Sequence, residues 1–296
     1  LVESLQGEFL NLFFSSPLAG EGRVRGKRSH SPPPCLPPSR GSNKKKVRKG
    51  PVIAIDGPSG VGKTTVSRLV AKRLGFKYID TGAMYRAFAV AAKEAGVDVE
   101  DEDALERFAS TATVAIGDAG GIFVNNVDYT GKIRTEAAGA LASVVSAKKK
   151  VREFLVGLQR TLGEQGRAEP PDGAQPLQGV VIEGRDIGTA VFPDADIKFF
   201  LDASHEVRAQ RRGLELQAKD AGVESPEGAQ PIQDAAKDVS NDMKERDRRD
   251  RERKNSPLVK ADDAIFIDTG LLGIEGVVEK IMDNIKQRNI IADICS

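Results

Sequence analysis

Eight consecutive residues near position 60 have the types and spacing of a phosphate-binding loop. The pattern G-x-x-x-x-G-K-[ST] is matched by Gly57-Pro58-Ser59-Gly60-Val61-Gly62-Lys63-Thr64. The glycines let the backbone approach an anion closely and direct its N–H groups toward it. Lys63 could then reach the β- and γ-phosphates of a nucleotide, and the Thr64 hydroxyl suits a Mg²⁺ ligand. A merely flexible turn would not need Lys63 and Thr64, so this segment predicts phosphate binding.

A second candidate site follows a later apolar run. Residues 180–182 read as a buried strand that ends at Glu183, and Arg185 and Asp186 come directly after it. In an open α/β sheet, ligands bind beside the carboxyl ends of the strands. Glu183 is therefore predicted to lie near a metal that accompanies the phosphates. A charged turn without a functional role is the alternative interpretation.

A third candidate is the segment Asp80-Thr81-Gly82-Ala83-Met84-Tyr85-Arg86, which follows another short strand and opens a helix. Thr81 is predicted to be the N-cap of that helix. Arg86 lies on its first turns, where a guanidinium could face an incoming phosphate. Taken alone, Arg86 would more often be an ordinary surface residue.

A fourth candidate is the arginine-rich segment 244–254. On a helix, Arg246, Arg249 or Asp250, and Arg253 share one face, because they recur at i, i+3 or i+4, and i+7. Such a row of guanidiniums could clamp phosphates and stabilise the charge of a transition state. An exposed helix of alternating ion pairs would have nearly the same sequence, and the segment alone favours that alternative.

The elements that must position these residues alternate between strands and helices. Short apolar runs predict strands at 52–55, 77–79, 180–182, 197–201 and 264–267. Helical spacing predicts helices at 63–74, 83–95, 204–220, 232–254 and 274–288. Gly75 is expected to close the first helix. The alternation predicts an α/β fold with a parallel sheet, in which the phosphate-binding loop joins the first strand to the first helix.

One region interrupts this alternation. Residues 112–130 hold short strand-like pieces with Gly117, Gly120-Gly121 and Asn125-Asn126 at the turns, which predicts a small antiparallel insert. A helical stretch at about 135–164 is expected to follow it.

Composition narrows the class of protein. The chain of 296 residues is 40% apolar and 29% charged, as in ordinary globular domains. The 44 Lys and Arg residues nearly balance 43 Asp and Glu residues, so bulk charge indicates neither nucleic-acid nor membrane binding. Cys35 and Cys295 cannot form a disulfide framework or a metal site. No apolar run approaches the ~18 residues that span a bilayer. A cytoplasmic location, with no membrane and no nucleic-acid partner, is expected.

Residues 1–50 differ from the rest of the chain. They are rich in proline and glycine and end in the basic run 44–49, a composition that predicts a disordered low-complexity tail. A transit peptide is the alternative, but Glu3, Glu8 and Glu21 argue against it. Residues 291–296 are read as a short C-terminal tail.

Taken together, the motifs resemble those of the bacterial-type cytidylate kinases, in the same order and with similar spacing. The matching stretches are IDGPSGVGKTTVSRLVAKRLGF, YIDTGAMYRA, VDYTGKIRT, VIEGRDIGTAVFPDADIKFFLDAS and KERDRRDRERKNSPLVKADDAIFIDT. They cover about residues 51–290. Several motifs in order are far more specific than the phosphate-binding loop alone.

The resemblance implies a fold and a reaction. The fold is a P-loop kinase core with a parallel five-stranded sheet, a nucleoside monophosphate-binding insert at about 97–165 and an arginine-rich lid at about 205–255. The reaction is phosphoryl transfer from ATP to CMP or dCMP with Mg²⁺, catalysed by a monomer with small-molecule substrates only.

The resemblance also implies a role for each matching residue. ATP would be bound by Gly57, Pro58, Ser59, Gly60, Val61, Gly62, Lys63, Thr64 and Thr65. The CMP phosphate would be met by Thr81, Arg86 and Arg185, the cytosine by Ser143, Arg152 and Asp186, and the ribose by Asp250 and Arg253. The phosphates in transfer would be met by Arg246 with Arg208, Arg211 or Arg212. Catalysis would depend on Lys63, Arg185, Arg246 and Arg253, and the metal would be held by Thr64 and Glu183.

Base selection follows from the hydrogen-bonding chemistry of these groups. The Asp186 carboxylate can accept from the exocyclic amine of cytosine, and Arg152 can donate to the ring acceptors. Uracil carries a carbonyl in place of the amine, so a carboxylate there would disfavour it.

The chain departs from the family pattern at three places. Glu183 stands where members of this family usually carry aspartate, which leaves its geometry toward the metal open. The loops at 166–179 and 221–232 are longer than usual, and the tail has no counterpart.

Two other functions are kept as alternatives. The first is a P-loop kinase for another nucleoside monophosphate or a small metabolite. The second is a non-enzymatic nucleotide-binding regulatory or nucleic-acid-associated protein that uses the basic tail and the 244–254 helix.

Overall fold

Two sheets organise the part of the chain that the computed structural model describes, which is residues 49–117, 120–168, 178–220 and 232–290. The larger is fully parallel and has the strand order β2-β6-β1-β7-β8. Its strands are β1 (Val52–Asp56), β2 (Lys77–Asp80), β6 (Val180–Gly184), β7 (Ile197–Asp202) and β8 (Ile265–Asp268). The smaller is antiparallel, in the order β3-β4-β5. Its strands are β3 (Val114–Ile116), β4 (Ile122–Val124) and β5 (Val127–Asp128).

Eight helices connect and cover the strands within the described residues. They are α1 (Lys63–Leu74), α2 (Thr81–Glu94), α3 (Glu102–Thr111), α4 (Glu136–Ala147), α5 (Lys149–Gly166), α6 (His205–Asp220), α7 (Ile232–Glu252) and α8 (Ile274–Gln287). A short 3₁₀ turn at Lys132–Arg134 and a π-helical turn at Ile187–Val191 complete the connections.

The hydrophobic core lies on both faces of the parallel sheet. Every residue of β1 is buried, because the strand is central and helices cover both faces. Its side chains alternate between two clusters, as the period of two requires. Val52 and Ala54 pack with residues of α2, α3, α4 and α5, whereas Ile53 and Ile55 pack with residues of α1 and α8. The loop after β1 is thereby anchored between two packed layers.

The structure confirms the predicted fold class, a parallel five-stranded sheet with a separate antiparallel insert. Gly75 ends α1 in the left-handed conformation, as predicted (φ 68°). The single helix predicted at 135–164 is two helices, because the chain is extended at Lys148. Helix α3 was not predicted.

The prediction that Thr81 is an N-cap is wrong by one residue. Asp80 caps α2, and its carboxylate accepts a hydrogen bond of 2.8 Å from the backbone N–H of Ala83. Thr81 is the first helical residue, and its hydroxyl instead donates to the backbone oxygen of Glu183 at 2.7 Å.

Several predictions concern residues outside those described. They are the disorder of residues 1–48, the location of Cys35 and Cys295, the tail at 291–296, and most of the loops at 166–179 and 221–232. Residues 49 and 50 are described, and the backbone N–H of Gly50 donates to the carbonyl of Arg167 at 2.8 Å. Within the described part of the chain, no helix is both long and apolar enough to cross a membrane.

Candidate active site

A cavity of ≈ 1170 Å³ lies beside the carboxyl ends of β1, β2 and β6. It brings together sixteen of the predicted site residues: Ser59, Gly60, Gly62, Lys63, Thr64, Thr65, Thr81, Arg86, Ser143, Arg152, Glu183, Arg185, Asp186, Arg246, Asp250 and Arg253. The other three, Gly57, Pro58 and Val61, are buried in the same loop and are not among its lining residues.

Backbone geometry explains two glycines of the loop. A Cβ atom on Gly57 (φ +153°) would lie 2.1 Å from the carbonyl oxygen of Leu201. A Cβ atom on Gly60 (φ +77°) would lie 2.8 Å from Cε of Met243. Any side chain at Gly57 would therefore displace the loop from β7, whereas at Gly60 the Met243 side chain could move and the positive φ is what disfavours an L side chain.

The N-terminus of α1 has no side-chain cap. Its N-cap residue is Gly62; α5 and α8 also lack a side-chain cap, whereas α2, α3 and α4 are capped by Asp80, Asp101 and Thr135. The first N–H groups of a helix need an acceptor, and an anion can supply one. The uncapped end of α1 is therefore suited to bind a phosphate.

Lys63 is held inside the loop. The residue is 8% exposed, and Nζ donates to the carbonyl oxygen of Pro58 at 2.6 Å. Burial lowers the pKa of Lys63, and the nearby Arg185 guanidinium lowers it further. A phosphate oxygen in the loop would give the ammonium a counter-charge that the carbonyl alone does not provide.

Glu183 lies at the end of β6, opposite Thr64. The residue is 3% exposed, and its carboxylate accepts a hydrogen bond from the Tyr78 hydroxyl and interacts with the Thr64 hydroxyl. Burial raises the pKa of Glu183, and the Asp80 carboxylate raises it further. A carboxylate and a hydroxyl are hard oxygen donors, so this pair fits Mg²⁺, which usually takes one or two protein ligands and completes its shell with phosphates and waters.

Charged side chains of opposite sign alternate in another part of the cavity lining. Asp186 forms a buried ion pair with Arg152, and Nη2 of Arg253 lies 3.3 Å from its other carboxylate oxygen. Asp250 pairs with Nε of Arg185 at 2.8 Å and with Nη1 of Arg253 at 3.6 Å. Three guanidiniums and two carboxylates thus form one network that can donate to and accept from a polar ligand.

Two further groups border this network. The Ser143 hydroxyl is buried and has no hydrogen-bond partner among the described residues. An unpaired buried hydroxyl is costly unless a ligand satisfies it. The Arg152 guanidinium lies 5.7 Å from the centre of the Tyr85 ring, which limits its orientation.

Arg86 and Arg246 line the same cavity as the phosphate-binding loop. Nη2 of Arg86 pairs with Asp80 at 3.2 Å. Glu136, the first residue of α4, accepts from Nε of Arg212 at 2.8 Å and lies 3.9 Å from Nη1 of Arg246. One carboxylate thus holds two arginines that come from α6 and α7.

The three arginines that the resemblance implies as partners of Arg246 have different surroundings in the structure. Arg212 lines the cavity. Arg208 is buried against Asp247, and Arg211 donates to the hydroxyl and the carbonyl of Thr269 at 3.1 and 2.6 Å. Neither Arg208 nor Arg211 is among the lining residues, so Arg212 is the candidate that remains.

The arginine-rich helix has residues that line the cavity and residues that form ion pairs away from it. Each of the two interpretations of its sequence, a phosphate-binding face and an exposed row of ion pairs, therefore describes part of the helix. Asp250 lines the cavity, whereas Arg249 pairs with Glu245 at 2.9 Å on the other side. Arg248 forms an exposed pair with Glu252 at 2.5 Å. Of Arg249 and Asp250, it is therefore Asp250 that lines the cavity together with Arg246 and Arg253.

Four residues that support the site were not predicted: Asp56, Tyr78, Glu136 and Asp247. Asp56 accepts hydrogen bonds of 2.8 Å from the backbone N–H groups of Ile187 and Gly188, and so holds the turn that follows Asp186. Burial raises the pKa of Asp56 to about 6. Asp56 could have been singled out, because it is the acidic residue directly before the phosphate-binding loop. Nothing in the sequence around Tyr78, Glu136 and Asp247 indicates which residues they contact.

A parallel sheet, a phosphate-binding loop after its central strand and an arginine- and carboxylate-lined pocket beside that loop define the class of P-loop phosphotransferases. Comparison with known proteins gives the family. A family model described as "Cytidylate kinase" matches residues 53–287. The chain therefore belongs to the cytidylate kinase family.

Individual relatives agree with that membership. The chain is 43% identical over 242 residues to the cytidylate kinase of Citrifermentans bemidjiense, with 81% of this chain and 94% of that one covered. It is 45% identical over 236 residues to the cytidylate kinase of Pelotomaculum thermopropionicum, with 78% and 94% covered. Among solved structures, shikimate kinase from Acinetobacter baumannii aligns at 16% identity and a TM-score of 0.35, with 80% and 94% covered.

Proposed function

We propose that this protein transfers the γ-phosphoryl group of ATP to CMP or dCMP, giving ADP and CDP or dCDP. The observation that carries the proposal is the buried Arg152–Asp186 pair, which shares one cavity with the phosphate-binding loop. Membership of the cytidylate kinase family supports the same reaction.

On the donor side, the loop from Gly57 to Thr65 would hold the phosphates of ATP. The uncapped N–H groups of α1 and the Lys63 ammonium supply its positive charge. Thr64 and Glu183 would hold Mg²⁺, whose positive charge would offset that of the phosphates.

On the acceptor side, base recognition would rest on three buried groups. Asp186 can accept from the exocyclic amine of cytosine, Arg152 can donate to the ring acceptors, and the Ser143 hydroxyl can satisfy its own bonding with the base. Asp250 and Arg253 are adjacent to this pair and would hold the ribose. Thr81, Arg86 and Arg185 would meet the phosphate of the acceptor.

In this mechanism the acceptor needs no strong general base, because its phosphate oxygen already carries negative charge. Catalysis would come from in-line placement and from electrostatic stabilisation of the transferring group. Lys63 would act from the donor side, and Arg185, Arg246 and Arg253 from the acceptor side. The substrates are small molecules, and a monomeric state and a cytoplasmic location stay predictions.

An acceptor panel tests the proposal. ATP-to-ADP conversion is measured with Mg²⁺ and CMP, dCMP, UMP, AMP, GMP or shikimate. Turnover is expected to be highest with CMP or dCMP. A different preferred acceptor would leave a P-loop kinase but remove the base assignment. Folded protein that binds ATP yet converts none of the acceptors would instead favour the regulatory alternative.

Tyr78→Phe tests the metal assignment. The variant removes the hydroxyl that donates to Glu183, so the carboxylate loses its fixed orientation. The Mg²⁺ concentration for half-maximal activity is expected to rise about tenfold, with kcat at saturating Mg²⁺ little changed. Tyr129→Phe is the matched control, because it removes a hydroxyl that donates to Glu94 at 3.1 Å in the insert. An unchanged Mg²⁺ dependence for Tyr78→Phe would contradict the assignment.

A further inference from the structure

A buried ion pair lies beside the phosphate-binding loop but outside the cavity. Arg208 of α6 and Asp247 of α7 are 4% and 2% exposed, and Nη1 of Arg208 donates to Oδ2 of Asp247. Burying two charges is costly unless their remaining bonding capacity is also satisfied. Their other partners therefore show what the pair holds in place.

Two of those partners are the backbone N–H and the backbone carbonyl of Ser59 in the phosphate-binding loop. The backbone N–H of Ser59 donates to Oδ1 of Asp247 at 3.2 Å, and the carbonyl oxygen of Ser59 accepts from Nη1 of Arg208 at 3.0 Å. Nε of Arg208 also donates to the carbonyl of Ala203, just beyond the end of β7, at 3.1 Å. Ser59 is thus tied on both sides to a pair that is itself anchored to the sheet.

Side-chain packing reinforces this attachment at the next residue. A Cβ atom on Gly60 would lie 2.8 Å from Cε of Met243 on α7 and 3.3 Å from Cβ of Arg208 on α6. The loop is therefore pressed directly against both helices. Its conformation depends on where α6 and α7 lie, as well as on its own glycines.

Direct contact with substrate is a poor account of these two residues. Both carboxylate oxygens of Asp247 have partners, as do Nε and Nη1 of Arg208. Neither residue is among those that line the cavity.

We propose that Arg208 and Asp247 are positioning residues for the donor phosphates. They hold the Ser59 peptide, and through it the curvature of the loop around the β- and γ-phosphates. The inference rests on the proposed function only in taking ATP as the donor. It assigns Asp247 of α7 to the donor, whereas Asp250 of the same helix and Arg253, directly after its end, face the acceptor.

A positioning role and a merely structural role have different kinetic consequences. Loss of stability lowers the fraction of folded enzyme, which lowers apparent kcat and leaves both KM values unchanged. Displacement of the loop weakens ATP binding, and the acceptor pocket on the next turn of α7 is affected less. The dissociation constant of ATP, measured on folded protein without acceptor, therefore separates the two roles.

The test uses Asp247→Asn, which removes the charge but keeps the shape, in the full-length chain. Its ATP dissociation constant is expected to rise about tenfold, as for a loop displaced by a fraction of an ångström. The KM for CMP is expected to stay within about twofold of wild type, since that pocket keeps its own residues. Glu252→Gln is the matched control, because it removes an exposed charge from the same helix.

Arg208→Lys provides a second variant if Asp247→Asn does not fold. Lysine keeps the charge pair but cannot reach Asp247, Ser59 and Ala203 together, so a rise in the ATP dissociation constant of about threefold is expected. Wild-type ATP affinity in a folded variant, with only a lower melting temperature, would overturn the inference. A wild-type enzyme that binds ATP but phosphorylates no acceptor would refute the proposed function. The ATP affinities of the variants and of the wild type would still decide whether Arg208 and Asp247 position the loop.

Discussion

Lys63→Ala is expected to reduce kcat for CMP phosphorylation by about 1,000-fold, the scale of losing one preorganised charge donor to the transition state. The buried ammonium already donates to the carbonyl of Pro58 inside the loop, so it is in place before ATP arrives. Alanine removes this charge and leaves the Pro58 carbonyl without this donor, a cost of about 1–3 kcal/mol. The fold should nevertheless remain, with a melting temperature modestly below that of wild type.

Steady-state turnover and thermal unfolding are measured together for this variant. Lys72→Ala, at an exposed position of the same helix, is the control and should retain wild-type turnover. A Lys63→Ala protein that keeps a near-normal rate would remove Lys63 from catalysis. Loss of the folded state would show that its role is structural.

Asp186→Ala is expected to reduce the preference for CMP over UMP by about 100-fold, measured as the ratio of the two kcat/KM values. The carboxylate is the group that distinguishes an amine from a carbonyl on the base. Its removal also leaves Arg152 and Arg253 without their shared partner, so turnover of CMP itself should fall. Much of the change in the ratio of kcat/KM values would come from this fall in the turnover of CMP.

Asp186→Asn separates the two effects, because its amide can donate to the carbonyl of uracil while filling the same space. The ratio should move further toward UMP in this variant than in Asp186→Ala. Asp194→Ala, at an exposed position on the following loop, is the control. An unchanged ratio in both Asp186 variants would remove Asp186 from base recognition.

The main elements could be predicted from the sequence because their determinants are local. The alternation of Val52, Ile53, Ala54 and Ile55 between two clusters is the pattern of a strand covered on both faces. The glycines and Lys63 mark the loop, and Gly75 marks the end of α1. Helix boundaries were less accurate where a cap was involved, since Asp80 and Thr81 are both good capping residues.

The supporting contacts could not be predicted, because each joins segments far apart in the chain. Asp247 reaches Ser59 across 188 residues, and Tyr78 reaches Glu183 across 105. In the sequence, Asp247 is one of several acids between arginines, and its spacing equally suits an exposed ion pair. Only the packing of α6 and α7 against the loop distinguishes it from Glu245 or Glu252.

The Glu136 carboxylate has a consequence for how substrate and product leave the site. It holds Arg212 at 2.8 Å and lies 3.9 Å from Arg246, two arginines that face the proposed path of the phosphates. If these arginines bind the phosphates as proposed, each guanidinium would exchange the Glu136 carboxylate for a phosphate oxygen. This exchange would reduce the net gain from phosphate binding. It would also give the arginines an alternative partner at the end of the reaction, which would favour release of a product that carries more negative charge than the acceptor.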